Sequence, residues 1–438
     1  MAWRTTNGGA GRYALVSFDA DGAERGDDPD APGGRFSERV VAELEGDPRT
    51  DIFLFSHGWK GDLPAAVDQY DRWIGALAGS ASDAARARAA RPGFAPLHIG
   101  LHWPSLPFGD EEMRDGASFG PGERAQGVDE LVELYVERLG AGPEVRPLLR
   151  TIVTEASRNA ARDTLTDAAR RAYLALDRRL GLGAEGAAGA PGDDRRPFDP
   201  DAAAAHSSEA TDFGGSRLGG IFLAPLRQLS FWTMKKRARS VGERGVHGFL
   251  KLLQEKAPSA RIHLMGHSFG CIVVSSALGG AGAAAPLPRP VDSCVLVQGA
   301  MSLWSYAPRI PAANGTPGYF HRLLADRKVR GPVLATISRH DRAVGTLYPI
   351  AAGVARQVDF APGELPKYGA IGAFGLRGLQ DAKQLPMLPA DQDYDLAPGG
   401  VYNLEASRYI SKGGGVSGAH SDIDGPEVAH AIWQAALA

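Results

Sequence analysis

The chain has 438 residues, of which 44% are hydrophobic and 23% are charged, and its formal net charge is -3. This composition is ordinary for a globular protein, so most of the chain can bury a core. Because the charge is nearly balanced, the protein has no global reason to bind nucleic acid or an anionic membrane. Its length fits two or three average domains or one large enzyme domain with insertions. We therefore expect no nucleic-acid partner.

The sequence contains no pattern for export or for membrane insertion. Its N-terminal region lacks a basic stretch followed by an apolar run, and nowhere do about 18 apolar residues follow one another. Cys271 and Cys294 are the two cysteines, and each lies in an apolar segment, where a cysteine usually acts as a small core residue. We expect a soluble, cytoplasmic protein without a transmembrane segment and without a disulfide.

Short apolar runs alternate with helical patterns in the first hundred residues. Strands are predicted at 13–18, at 97–104 and, together with a following loop, at 51–59. Helices are predicted between them at 36–45 and 63–79, where apolar residues recur at helical spacing. This alternation is typical of a largely parallel sheet with helices on both faces.

The alternation stops for more than a hundred residues and gives way to helical patterns. These patterns fill 123–140 and 145–181, whereas 182–215 is rich in small, proline and acidic residues. We interpret 105–234 as a helical insertion, or lid, within a single catalytic domain that spans 1–438. Within it, the segment at about 182–215 is expected to be a flexible loop.

After the insertion, a predicted helix at 235–256 leads back to the sheet. Its basic residues are expected to form a solvated face, with a site for an anionic partner as the alternative, and they are Lys235, Lys236, Arg237 and Arg239. The alternation then resumes with strands at 261–268, 291–301, 331–341 and 401–407 and with helices at 269–278 and 426–437. The second half of the chain is therefore expected to complete the same sheet.

A G-x-S-x-G sequence occupies positions 266–270, between an apolar strand and a helix. This is the context of a nucleophile elbow, a tight turn that projects its serine from the sheet edge. Glycine at positions 266 and 270 removes side chains that would collide in such a turn. We take Ser268 as the candidate nucleophile, with Gly266 and Gly270 supporting it. The alternative is a glycine-rich turn without chemistry.

A serine hydroxyl needs a histidine as its base, and the histidine needs a carboxylate to orient it. His420 lies in a glycine-rich loop between the last strand and the last helix, and Asp341 ends the preceding predicted strand. Both follow strands that end at the same sheet edge, so we predict that His420 is the base and Asp341 the orienting acid.

Four other residues compete for these two roles. His430 lies in the closing helix, where packing or solvation is the expected role, and His340 should point away from the site because it precedes Asp341. Asp422 and Asp424 are expected to cap the closing helix, although either would replace Asp341 if the carboxylate came from the final loop.

The sequence His57-Gly58-Trp59 follows an early strand and predicts an oxyanion loop. Attack on an ester creates an oxyanion, and each N–H donor placed for it lowers the barrier by roughly 3 kcal/mol. The expected donors are the backbone N–H groups of Phe269, directly after the nucleophile, and of Trp59, which Gly58 turns inward. The alternative is a simple turn in which Trp59 only packs.

On these residues the chain resembles the α/β-hydrolase family of esterases and lipases, with Ser268, Asp341 and His420 in the family's order. The resemblance covers 11–110 and 235–438. It implies an eight-stranded, mostly parallel sheet and hydrolysis of an ester-like bond through an acyl-enzyme. It implies neither a cofactor nor a metal ion.

The chain departs from the family in two respects. The family usually carries its lid after the sixth strand, whereas the insertion at 105–234 precedes the elbow strand. The oxyanion loop is His-Gly-Trp rather than the glycine-rich form of many esterases. The substrate preference of lipases with the usual cap therefore does not transfer to this chain.

Taken together, these features predict a serine hydrolase that cleaves a small carboxylic ester with an apolar acyl or aryl part. An acyltransferase or a peptidase would use the same three residues, and a ligand-binding protein without catalysis would use the same pocket. One hydrophobic run is expected either to face the acyl pocket or to pack a lid helix on the core, and it consists of Ile221, Phe222, Leu223, Phe231 and Trp232.

Overall fold

The structure is a computed structural model. It describes residues 3–9, 11–27, 34–59, 63–105, 121–159, 162–183, 189–205, 220–282, 286–351, 365–414 and 417–438.

The described residues form nine strands that pair into one sheet, in the order β1-β2-β4-β3-β5-β6-β7-β9-β8. All neighbours are parallel except β1 and β2, which are antiparallel. The strands are β1 Trp3–Thr5, β2 Arg12–Ser17, β3 Asp51–Ser56, β4 Pro96–His102, β5 Arg261–His267, β6 Ser293–Val297, β7 Val333–Ile337, β8 Lys383–Pro386 and β9 Val401–Glu405.

The α/β class, the mostly parallel sheet and the seven strands placed by the sequence pattern are confirmed. The total of eight strands implied by the resemblance is wrong, because the described residues form a sheet of nine. Two of these are edge strands, β1 and β8, which the sequence pattern did not predict. Strand β1 has three residues, and β8 is a polar, largely exposed segment without an apolar run. An edge strand of this kind has no buried face to leave a periodic signal.

Helices cover both faces of the sheet and connect its strands. Within the described residues they are α1 Phe36–Gly46, α2 Leu63–Gly79, α3 Ala81–Ala90, α4 Pro121–Leu139, α5 Arg146–Arg158, α6 Asp167–Leu180, α7 Pro200–Ala205, α8 Gly220–Val241, α9 His247–Lys256, α10 Gly270–Gly279, α11 His321–Ala325, α12 Tyr348–Ala351, α13 Ile371–Phe374 and α14 Pro426–Leu437. A π-helical turn at Gly242–Val246 links α8 to α9.

The central strands are buried on both faces, which explains their continuous apolar runs. In β3, Ile52 and Leu54 belong to the apolar cluster on one face, whereas Phe53 and Phe55 belong to the cluster on the other. Successive side chains of a strand point to opposite faces, so each face needs its own apolar set. The two helical layers bury these sets and hold the sheet as a rigid base for its edge loops.

The helices of the predicted insertion pack around an apolar cluster of their own. This cluster joins residues of α4, α5 and α6 to the first half of α8. No lid is evident in the part of the chain that the structure describes. In the segment predicted as a flexible loop, 184–188 and 206–215 lie outside the described residues, while Asp194 and Arg195 are buried.

The expectation of a solvated basic face at the C-terminal half of α8 is wrong. Lys235 is fully buried, and its Nζ lies 2.8 and 2.6 Å from the two carboxylate oxygens of Asp194. The same Nζ lies 2.7 Å from the hydroxyl oxygen of Tyr348. Burial lowers the pKa of Lys235, and the charge of Asp194 opposes that shift. Arg237 is also buried and donates to the Pro104 carbonyl.

None of the described helices combines the length and the apolarity that crossing a bilayer requires. Cys271 and Cys294 are both buried and both free.

Candidate active site

The candidate nucleophile lies at the carboxyl edge of the sheet, in the turn between β5 and α10. Ser268 has a φ of 56°, which is left-handed backbone that a non-glycine residue rarely adopts. A Cβ atom at position 266 would lie 2.5 Å from the Gly270 carbonyl oxygen, and one at position 270 would overlap the Ser56 carbonyl. The elbow therefore needs glycine at both positions, and α10 directs the positive end of its dipole toward the serine.

The structure brings Ser268, His420 and Asp341 together in one chain of hydrogen bonds. His420 Nε2 lies 2.8 Å from Ser268 Oγ, and His420 Nδ1 lies 2.7 Å from Asp341 Oδ2. The Asp341 side chain is fully buried, whereas 13% of the His420 side chain is exposed. The carboxylate fixes a proton on Nδ1, so Nε2 is left as the basic nitrogen that faces the hydroxyl.

The loops after β7 and β9 are joined to each other, and this places the histidine beside the aspartate. Asp341 and Gly418 form an isolated antiparallel bridge, and the Ala419 N–H donates to the His340 carbonyl at 2.9 Å. Gly418 has a φ of 57°, which turns the loop back over the sheet edge. Two loops that are distant in sequence thus present one imidazole–carboxylate pair.

A glutamine that the sequence did not suggest completes the binding of the aspartate. Gln298, at the end of β6, donates from Nε2 to Asp341 Oδ2 at 2.8 Å, and its Oε1 accepts from the Thr336 hydroxyl at 2.8 Å. The Val344 N–H donates to Asp341 Oδ1 at 3.1 Å. The carboxylate therefore accepts three hydrogen bonds. The sequence signal that could have found Gln298 is a polar amide directly after β6, which ends at the same edge of the sheet as its neighbour β7.

The competing residues are engaged elsewhere. Asp422 accepts from the backbone N–H groups of Ser411 and Lys412, and Asp424 pairs with Arg72 at 2.8 Å. The N-cap of α14 is Gly425, with no side-chain cap, so the expectation that Asp422 or Asp424 caps this helix is wrong.

The two rival histidines also lie outside the hydrogen-bonded chain. His430 is packed, as expected, with Nδ1 2.9 Å from Asp83 and Nε2 2.7 Å from the Gln392 carbonyl. His340 is exposed and contacts Arg339.

The loop after β3 lies directly against the elbow. A Cβ atom at Gly58 would lie 2.6 Å from Ser268 Cβ, so only glycine permits this approach. His57 Nε2 accepts from the Trp103 N–H at 3.3 Å, and its Nδ1 donates to the Gly58 carbonyl at 2.8 Å. Burial, reinforced by neighbouring His102, lowers the pKa of His57 to about 3. His57 is thus a neutral support of the loop.

The two residues predicted as oxyanion donors both lie beside the elbow. Phe269 is the N-cap of α10, at the helix end where backbone N–H groups have no intrahelical acceptor. Trp59 follows Gly58, and its ring packs against Phe269 and Phe231 at centroid distances of 5.8 and 5.5 Å. Both residues line the cavity that contains Ser268.

This cavity has a volume of about 260 Å³ and is lined by both aromatic and polar side chains. Its aromatic wall consists of Trp59, Phe231, Phe269 and Tyr348, and its polar rim includes Asp68, Gln69 and Arg72 of α2. Of the apolar run expected either at the pocket or in core packing, Phe231 lines the cavity. Phe222 and Leu223 belong to the apolar cluster of the insertion and Ile221 packs against it, whereas Trp232 donates to the Ala351 carbonyl.

The described residues contain no group of three or more His, Cys, Asp or Glu side chains placed to hold a metal ion. Comparison of the chain with protein families, with curated proteins and with solved structures finds no match. The arrangement must therefore be interpreted from its own chemistry.

Proposed function

We propose that the protein is a serine hydrolase that cleaves a carboxylic ester through an acyl-enzyme, on an α/β-hydrolase fold. The observation that carries this proposal is the position of His420 between two partners, 2.8 Å from Ser268 Oγ and 2.7 Å from Asp341 Oδ2. The strained elbow supports it, because backbone strain of about 1–3 kcal/mol persists where function requires it. The chain order Ser, Asp, His also agrees with this fold.

In the proposed reaction, Ser268 Oγ attacks the ester carbonyl while its proton passes to His420 Nε2. Asp341 stabilises the resulting imidazolium and keeps the ring oriented. The imidazolium then gives its proton to the leaving alkoxide, which departs as the alcohol. Water then gives a proton to the same nitrogen as it attacks the acyl-enzyme. When this second tetrahedral intermediate collapses, the imidazolium returns the proton to Ser268 Oγ and the acid is released.

The oxyanion of each tetrahedral intermediate would be bound by the backbone N–H groups of Phe269 and Trp59. Two observations support this assignment. Phe269 directly follows the nucleophile at the first turn of α10, and Gly58 brings the loop after β3 into contact with Ser268. Backbone donors from these two places form the oxyanion hole of this fold.

We propose that the substrate has a compact apolar part. The aromatic wall favours such a group, and the volume of about 260 Å³ is slightly below the range of pockets for drug-sized ligands. Because Phe231 belongs to α8, we propose that the helical insertion contributes part of the aromatic wall of the acyl pocket, the first of the two roles expected of its hydrophobic run.

The test is hydrolysis of p-nitrophenyl butyrate by the purified protein and by its Ser268→Ala variant. We expect turnover by the wild type and none above background by the variant, with an unchanged unfolding temperature. Ser411→Ala is the matched control and should keep the wild-type rate. It alters an exposed serine in the loop between β9 and α14, which also carries His420. Turnover by Ser268→Ala at the wild-type rate would overturn the proposal.

A further inference from the structure

The histidine inside the elbow motif makes two hydrogen bonds that the proposed proton transfer does not use. His267 is 4% exposed. Its Nε2 lies 2.9 Å from the backbone carbonyl oxygen of His420, and its Nδ1 lies 3.1 Å from Gln69 Nε2. Its ring centroid is 4.9 Å from that of His420. His267, directly before the candidate nucleophile, therefore contacts His420, the proposed base.

The partners define the protonation of His267. The His420 carbonyl can only accept, so His267 Nε2 carries the hydrogen, and the Gln69 amide N–H group donates to a bare Nδ1. This is the neutral tautomer. Burial, reinforced by the nearby His420, lowers the pKa of His267 to about 3. His267 therefore remains neutral while His420 gains and loses a proton beside it.

The bond from His267 ties the backbone of His420 to the elbow, in addition to the bonds that join this loop to the loop after β7. The loop before His420 contains Gly413, Gly414 and Gly418, and glycine gives a backbone the most conformational freedom. Asp341 holds the imidazole through Nδ1 and Ser268 Oγ faces Nε2, but neither of these side-chain bonds by itself holds the main chain of His420 against a shift. A second anchor on the main chain of His420, coming from the elbow itself, restricts that movement.

We propose that His267 is a positioning residue, which couples the nucleophile elbow to the loop of His420 and so holds His420 Nε2 at 2.8 Å from Ser268 Oγ. Gln69 orients His267 from α2. This inference rests on the proposed function. A misplacement of about 1 Å in such a pair can cost about 100-fold in rate.

The first experiment compares two substitutions of the same residue in ester hydrolysis. His267→Phe keeps a buried ring and removes both hydrogen bonds, so kcat should fall about 10- to 100-fold while KM changes less than about threefold. His267→Gln restores an N–H donor of similar reach and should recover most of kcat. Gln69→Leu should give a smaller loss than His267→Phe, because it removes only the orienting bond.

His430→Phe is the matched control for the loss of a buried, doubly bonded histidine. His430 also bonds a side chain and a carbonyl oxygen, but it lies outside the candidate site. It should lower the unfolding temperature and leave kcat unchanged. A folded His267→Phe protein with wild-type kcat would overturn the positioning role. An equal loss of kcat in His430→Phe would also overturn it, because the effect would then be one of general stability.

A crystal structure of His267→Phe tests the same inference without any activity. The distance between His420 Nε2 and Ser268 Oγ should exceed that of the wild type determined in the same way. An unchanged distance contradicts the inference. If the distance lengthens while even the wild type hydrolyses no ester, the positioning role stands and the proposed function fails.

Discussion

Replacing Asp341 by asparagine tests the geometry of the candidate site most specifically. The Asp341 carboxylate accepts from His420 Nδ1 and Gln298 Nε2 on one oxygen and from the Val344 N–H on the other. An amide has only one acceptor oxygen. If the amide oxygen accepts from the Val344 N–H, the NH2 group faces two other donors, His420 Nδ1 and Gln298 Nε2. If the oxygen instead accepts from His420, the NH2 group faces the Val344 N–H.

The size of the effect follows from these contacts. A hydrogen bond to a charged group contributes about 1.5–3 kcal/mol, which is roughly 10- to 160-fold in rate at 1.36 kcal/mol per factor of ten. The loss of the negative charge beside the imidazolium adds to this, and the same substitution in a serine-protease triad costs about 10⁴-fold. We therefore predict that Asp341→Asn lowers kcat by about 10²- to 10⁴-fold with little change in KM.

The assay is steady-state hydrolysis of p-nitrophenyl butyrate, with urea unfolding to show that Asp341→Asn is folded. Asp422→Asn is the matched control, because Asp422 accepts from backbone N–H groups of its own loop and lies outside the hydrogen-bonded chain of Ser268, His420 and Asp341. It should stay within about threefold of the wild type. If Asp341→Asn kept the wild-type rate while Asp422→Asn collapsed it, the orienting carboxylate would lie in the final loop.

Three further predictions concern the oxyanion loop, the pH dependence of stability and the buried lysine. Gly58→Ala should abolish ester hydrolysis, because its Cβ would lie 2.6 Å from Ser268 Cβ. The folded pKa of His57 is about 3, below the unfolded value of about 6.5, so urea unfolding should show stability falling as pH drops below about 6.5. At pH 5, His57 contributes about 2 kcal/mol to this loss. Lys235→Met leaves Asp194 buried without its cation, so urea unfolding should show a loss of about 3–5 kcal/mol.

The first and the third of these predictions each have a control in the same chain. Gly46→Ala, at a helix end with no atom within 4 Å of its Cβ, should keep full activity. Stability that rises as the pH is lowered from 7 to 5 would contradict the pKa of His57. Lys235→Met/Asp194→Leu should recover part of the stability lost in Lys235→Met. If the double variant is less stable than the single one, the ion pair is not the cause.

The candidate site was accessible to sequence reasoning because parallel strands end at one edge. Ser268 and Asp341 each lie within a few residues of the end of an apolar run, and His420 lies in the loop after the last such run. All three could therefore be assigned to that edge. The glycine pattern around the serine added the local geometry of the turn. These signals are local in sequence, and the topology brings them together.

The supporting residues left no such local signal. Gln298 and Asp341 are 43 residues apart, and His267 and His420 are 153 residues apart. A single amide or imidazole has no periodicity, so its partner is known only once the loops are placed. Lys235 shows the same limit. The sequence of its basic run predicts a solvated face, and only the fold brings Asp194 and Tyr348 beside Lys235.

The central claim, that Ser268 is an activated nucleophile, is tested most directly by covalent labelling with a fluorophosphonate probe. The intact protein is labelled at neutral pH and digested, and the modified residue is identified by mass spectrometry. We predict one phosphonate on Ser268, and loss of that label in His420→Ala, because the hydroxyl then has no base. A protein that stays unlabelled while folded, or one labelled at another serine with Ser268 unmodified, would contradict the account.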